Sequence, residues 1–171
     1  MANVKYRESG VLHTYHEALE KLIKEDVIPT MGLSPWQEFR DRYLWTLECN
    51  DIYWVNHDPL MKLYTHFHDA RKHYMSMDDA LNLMMRLTPL QLSEKEAKYC
   101  YGMSKMTVMD EAEESTLKYK RLQYVELLEM IGRIADVKFR GSDMEGLILP
   151  TKIEFVLDEI LTLVHEKRRP V

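Results

Sequence analysis

A chain of 171 residues with 46% apolar side chains is long enough to bury a real core in about one domain, so wholesale disorder is excluded. The 28 acidic residues outnumber the 23 basic ones, for a net charge of −5, which opposes nucleic-acid binding by bulk electrostatics. Two cysteines cannot frame a disulfide scaffold, and no stretch approaches the ~20 apolar residues of a membrane span.

With only 6 Gly and 6 Pro against plentiful Leu, Met, Glu and Lys, the composition predicts an all-α fold. No signal-peptide pattern is evident, so a soluble protein in a reducing, cytoplasmic setting is expected. The first helix is expected over about 11–26, where Leu12, Tyr15, Leu19, Leu22 and Ile23 form one stripe, with Pro29 and Gly32 ending it. A second begins at Ser34-Pro35-Trp36-Gln37, a cap followed by proline at the first helical position, and puts Phe39, Tyr43 and Leu47 on its buried face. A third starts near Asp58-Pro59 with Leu60, Leu63, Tyr64 and Phe67 in register, or from Asp51 with a kink at Pro59. Ser76 and Asp79 have capping-box spacing ahead of Ala80, Leu81 and Met84, and Thr88-Pro89 closes that element. A fifth helix opens at the capping box of Ser93 and Glu96, with Leu92 placed to staple onto Ala97.

Between Lys105 and Arg121 a polar, acidic segment reads as a long loop. The helix expected over 124–140 puts Glu126, Glu129, Arg133, Asp136 and Arg140 on one narrow face and Val125, Leu128, Ile131 and Ala135 opposite. With Leu127, Met130, Ile134 and Val137 its apolar arc is wide enough for a central helix. Gly141 and Gly146 bracket a turn. The last helix follows Pro150, with Ile153, Val156, Leu157, Ile160, Leu161 and Val164 in register and Lys167-Arg168-Arg169 suiting its C-terminal dipole.

These elements form two helix-loop-helix units, whose loops can be tested against the twelve-place calcium loop of an EF-hand. With Met75 at the eighth place and Asp79 at the twelfth, the first loop begins at His68. Its third and fifth places are then Ala70 and Lys72, and His73 stands where the turn glycine belongs. In the second, Leu122 takes the eighth place and Glu126 the twelfth, but Ser115, Leu117 and Tyr119 fall at the first, third and fifth, and the true connection is longer than twelve residues. Such loops lack the oxygen ligands that set calcium affinity.

The runs Ser93-Glu94-Lys95-Glu96, 104–111 and 122–135, above all Tyr-Val-Glu-Leu-Leu-Glu followed by Gly-Arg-Ile-Ala, resemble the EF-hand-like helical domains of ciliary and flagellar proteins. The upstream Glu38-Phe39-Arg40, Leu63-Tyr64 and 75–80 fit the same arrangement, so the resemblance covers roughly residues 20–165; Leu127 stands where many relatives carry Phe. It implies about seven helices, with N-terminal helices (1–50) packed on a paired, calcium-poor domain (51–171). It also implies a structural or adaptor protein of the axoneme, without catalysis or cofactor, whose partners are other axonemal, microtubule-associated proteins rather than nucleic acid or membrane. A groove for a partner helix would be lined by Met84, Met85, Leu128 and Ile131, since Met adapts its shape. The tryptophans at 36, 45 and 54 cannot all share one helical face, so at least one is expected to meet a partner or an interhelical seam, and Trp54 is taken as a further contact residue.

Two other readings stay open. One is a calcium-responsive module using Asp79, Glu126 and the acidic loop. The other is a metal-dependent phosphohydrolase of the His-Asp type, suggested by His57-Asp58 and His68-Asp69; composition alone yields such a pair about 0.45 times, and Asp58 also serves as a helix cap. His13 and His16 could share a helical face, but two ligands make no site. Cys100, between Tyr99 and Tyr101, is expected to be a buried thiol rather than a nucleophile.

Overall fold

The computed structural model describes residues 14–27, 36–67, 72, 74–105 and 118–164, so the expectations at His13, Pro29, Ser34-Pro35, His68-Asp69, Ala70, His73, Ser115, Leu117 and 167–169 lie outside the described residues. The chain divides into two compact units, Met1–Phe39 and Arg40–Val171. Eight α-helices and a two-stranded ribbon are present among the described residues, an all-α architecture close to the seven helices expected.

In the first unit, helix α1 (Tyr15–Leu22) starts at Thr14, whose hydroxyl accepts from the Glu17 amide while the Glu17 carboxylate accepts from the Thr14 amide. This reciprocal cap satisfies two otherwise orphaned donors. A π-helical turn, Ile23–Val27, extends α1. The short helix α2 (Trp36–Phe39) completes the unit.

The second unit opens with a π-helical turn, Arg40–Leu44. The predicted run of Phe39, Tyr43 and Leu47 along one buried face does not form: Leu44 is buried, while Tyr43 and Leu47 are exposed. The physical cause is Thr46, whose extended backbone breaks the chain and whose hydroxyl caps a new helix, α3 (Leu47–Val55), by accepting from the Cys49 amide. Helix α4 (His57–His66) follows after one residue, Asn56, so Asp58 and Pro59 lie inside its first turn and Asp58 is not its cap. Leu60, Leu63 and Tyr64 are buried as their spacing requires.

Strand β1 (Met75–Ser76) leads into α5 (Met77–Asn82), which ends in a π-helical turn, Leu83–Leu87, ahead of Thr88-Pro89. Helix α6 (Glu94–Ser104) carries the Ser93/Glu96 capping box, and Leu92 and Ala97 are both buried. Strand β2 (Arg121–Leu122) pairs antiparallel with β1, Met75 opposite Leu122 and Ser76 opposite Arg121. It precedes α7 (Tyr124–Lys138), and α8 (Leu149–Ile160) ends in a 3₁₀ turn, Leu161–Leu163. Pro150 lies within the first turn of α8 rather than before it, a position where its missing N–H costs nothing. Gly141, at φ +70°, turns the chain after α7 in a conformation that favours glycine.

Helix α7 is central, as its wide apolar arc requires, and packs against α6 and α8. The first part of its charged face is not solvent-facing: Glu126, Glu129 and Arg133 are buried, while Arg140 at its far end and Val125 opposite are exposed. The carboxylate of Glu129 is completely covered and receives Arg40 Nε at 2.7 and 2.8 Å, Arg133 Nη2 at 2.6 Å and Arg133 Nε at 3.0 Å. Paired guanidinium groups are what make a buried carboxylate tolerable. Part of the charge of this helix is therefore an internal ion network.

Gly132 lets α3 and the Arg40–Leu44 turn approach α7 closely. A methyl group there would lie 2.2 Å from Leu44 Cδ1 and 3.3 Å from Tyr53 Oη. Leu44 is fully buried and Tyr53 Oη donates to the Leu128 carbonyl at 2.9 Å, so neither neighbour can move freely. Gly132→Ala is expected to destabilise the fold by about 1–3 kcal/mol, the range of core overpacking, despite alanine's better helix propensity. Urea denaturation measures it, and an unchanged or raised midpoint would refute the close approach.

Candidate functional site

The two turns expected to carry ligands meet at the β1–β2 ribbon. Met75 and Leu122, both at eighth places by register, are directly opposite each other and completely buried. The two twelfth-place carboxylates therefore stand at equivalent points, in the first turns of α5 and α7. Each caps its own helix: Asp79 Oδ2 accepts from the Ser76 amide at 2.8 Å and the Ser76 hydroxyl at 2.6 Å, and Glu126 Oε2 accepts from the Gln123 amide at 2.7 Å.

Each carboxylate also holds a lysine. Lys72, at the fifth place of the first turn, donates to Asp79 Oδ2. Burial opposes ionisation of Asp79, but the hydrogen bonds from Lys72 and Ser76 outweigh it and hold its carboxyl below its ordinary range. In the second turn the cation arrives from the end of α6: Lys105 Nζ lies 2.6 Å from Glu126 Oε2 and 2.6 Å from the Arg121 carbonyl oxygen. Counting back from Leu122, Arg121 holds the seventh place, where a calcium loop offers its backbone carbonyl. The Lys105 ammonium thus touches a seventh-place carbonyl and a twelfth-place carboxylate together, and its side chain is only 8% exposed and that of Glu126 3%. The carboxylate and carbonyl oxygens of the second turn are thus both engaged by the Lys105 ammonium.

Aromatic groups close the site. Tyr101 Oη donates to the Tyr119 carbonyl at 2.6 Å and Tyr64 Oη to the Leu122 carbonyl at 2.9 Å. Burial pushes the Tyr101 phenol up to about 12 and raises Tyr64 as well, so both remain donors at neutral pH. The Arg121 guanidinium covers the Tyr74 ring, 4.7 Å from its centroid. Sequence reasoning missed Lys105 because it lies 21 residues before its partner and outside both loops.

The other expected site residues are dispersed. Met84 and Ile131 belong to the core, each 0% exposed, so neither can line a surface groove; α5 and α7 present those faces inward. Met85 and Leu128 are half-buried. Trp54 is 76% exposed. His57 and Asp58 sit at the solvent-facing start of α4, their side chains 3.3 Å apart, with the His57 ring edge-on to Tyr124. Among the described residues no group of three or more His, Cys, Asp or Glu side chains could hold a metal. Cys49 and Cys100 are buried, free thiols, and burial raises Cys100 to about 12, far from thiolate reactivity. No described helix is long and apolar enough to cross a membrane. Comparisons with protein-family models, curated proteins and solved structures gave no match.

Proposed function

We propose that this chain is a non-catalytic structural or adaptor protein of the ciliary or flagellar axoneme, an EF-hand-like pair whose calcium chemistry has been replaced and which acts by binding other proteins. One observation carries the EF-hand-like part: the antiparallel Met75–Leu122 pair joins two turns whose twelfth-place carboxylates are each neutralised by lysine. The axonemal setting rests on the resemblance of 93–96, 104–111 and 122–135 to ciliary helical domains. The calcium-responsive alternative would have to displace Lys105 from a nearly covered carboxylate, and the phosphohydrolase alternative would need His57 and Asp58 turned inward rather than to solvent.

A tagged chain expressed in ciliated cells tests the reading. It is expected to remain with axonemes after detergent removes membrane and soluble matrix, and to retain axonemal proteins or tubulin on affinity resin. Complete loss to the soluble matrix, with neither class retained, would sink the proposal.

A further inference from the structure

The outer face of the β1–β2 ribbon gathers cations. Ser76 and Arg121 stand opposite each other in the antiparallel pair and share a face, which Tyr74, two residues before Ser76, joins. Met75 and Leu122 take the buried face, whereas Tyr74, Ser76 and Arg121 are all partly exposed. The Arg121 guanidinium lies 4.7 Å from the Tyr74 ring centroid, and Lys72 Nζ lies 5.8 Å from the same point. The aromatic face thus holds the Arg121 fork in a fixed place.

Lys118 and Lys120 extend the cluster. Both are exposed in a 3₁₀ turn, 118–120, that runs directly into Arg121, and a rise of about 2 Å per residue keeps their backbones within about 6 Å of it. The two carboxylates at the ribbon are already neutralised, Asp79 by Lys72 and Glu126 by Lys105. Among the described residues, Lys118, Lys120 and Arg121 have no ion-pair partner. Asp78, exposed in the first turn of α5, opposes them, one carboxylate against three cations. Like charges crowded in this way repel one another, and an anion on the face relieves that repulsion.

We infer that the outer face of the ribbon, with the turn leading into it, is a docking surface for a glutamate-rich segment of a partner protein, its carboxylates received by Lys118, Lys120 and the stacked guanidinium of Arg121. This names partner chemistry for the adaptor reading above, on which its cellular role rests. A guanidinium fork takes a carboxylate through two parallel hydrogen bonds, while the ammonium groups select charge and speed encounter. A nucleic acid, charged along its whole length, meets the field of a chain of net charge −5 beyond this face and is disfavoured.

The test titrates the full chain at low salt against a short fluorescein-labelled peptide alternating Glu and Gly, reading anisotropy, with a Lys and Gly peptide and a single-stranded oligonucleotide of matching charge number as comparisons. The Glu peptide is expected to bind saturably and more weakly as salt rises. Binding is expected to be about tenfold weaker to Lys118→Gln/Lys120→Gln and to Arg121→Gln, and several-fold weaker to Arg121→Lys, which keeps the charge without the fork. Arg121→Gln leaves in place the backbone carbonyl that holds Lys105, so the melting midpoint is expected to match the parent. The control Lys62→Gln/Lys95→Gln, which removes exposed lysines from α4 and α6, is expected to keep affinity within about twofold, since distant exposed charges are screened. No saturable binding, equal losses in control and ribbon variants, equal binding of the Lys peptide, or tighter binding of the oligonucleotide would overturn the inference. So would binding that appears only when Asp110, Glu111, Glu113 and Glu114 are changed to Gln, which would make this chain's own acidic stretch the occupant. If Lys118→Gln/Lys120→Gln/Arg121→Gln still co-fractionates with axonemes, this surface assignment fails and the adaptor reading survives; if the Glu peptide binds as expected but the chain leaves the axoneme, the reverse holds.

Discussion

Glu129→Met should lose about 3–5 kcal/mol of stability, the range for removing one partner of a buried ion network. The substitution roughly keeps side-chain volume, so packing is not the main source of the loss. Instead it takes from the interior the carboxylate that receives both Arg40 and Arg133, leaving two guanidinium groups without that counter-charge. The triple variant Arg40→Met/Glu129→Met/Arg133→Met should recover most of it, because a network replaced whole by apolar side chains is often neutral or stabilising. Equilibrium denaturation in guanidinium chloride separates the two. A single variant within about 1 kcal/mol of the parent would show that the network contributes little.

The second large effect belongs to Lys105. Lys105→Met is expected to cost about 3–5 kcal/mol, since it leaves a nearly covered Glu126 without the ammonium that neutralises it. Lys105→Met/Glu126→Gln, in which neither group is charged, should return most of that stability. The parent protein should give no calorimetric heat with millimolar calcium chloride and no calcium-dependent rise in melting temperature, because the ammonium already occupies the carboxylate and the Arg121 carbonyl. A saturable calcium heat in the parent, lost in Glu126→Gln, would overturn the exclusion of calcium by Lys105 and revive the calcium-responsive reading. The two arms are independent: stability tests whether the lysine matters to the fold, and calcium tests whether it has replaced a ligand.

Much of the local architecture was legible in the residues. The capping boxes at Ser76 and Ser93 form as their spacing requires, whereas the short ribbon that pairs Met75 with Leu122 was not expected from the residues. Local chemistry decided the caps: a hydroxyl and a carboxylate three residues apart satisfy each other's backbone whatever lies around them. The break at Thr46 was also encoded locally, but the apolar spacing of Phe39, Tyr43 and Leu47 suggested continuity across it. Periodicity alone does not reveal a cap inside an apparent stripe.

Composition, helical periodicity and caps determine by themselves that this is an all-α protein with a central α7 and two turns poor in calcium ligands. Only the tertiary structure decides what the charges do. Glu129 finds Arg40 across 89 residues, and Glu126 finds Lys105 across 21, contacts that no local window contains. The same charged pattern that reads as a solvated surface becomes an internal ion network once neighbours supply opposite charge, since the energy of a buried carboxylate depends on what stands beside it rather than on its place along the chain. The reverse happens on α3, where Leu47, expected on a buried face, stays outside while Cys49 and Tyr53 fill the core side.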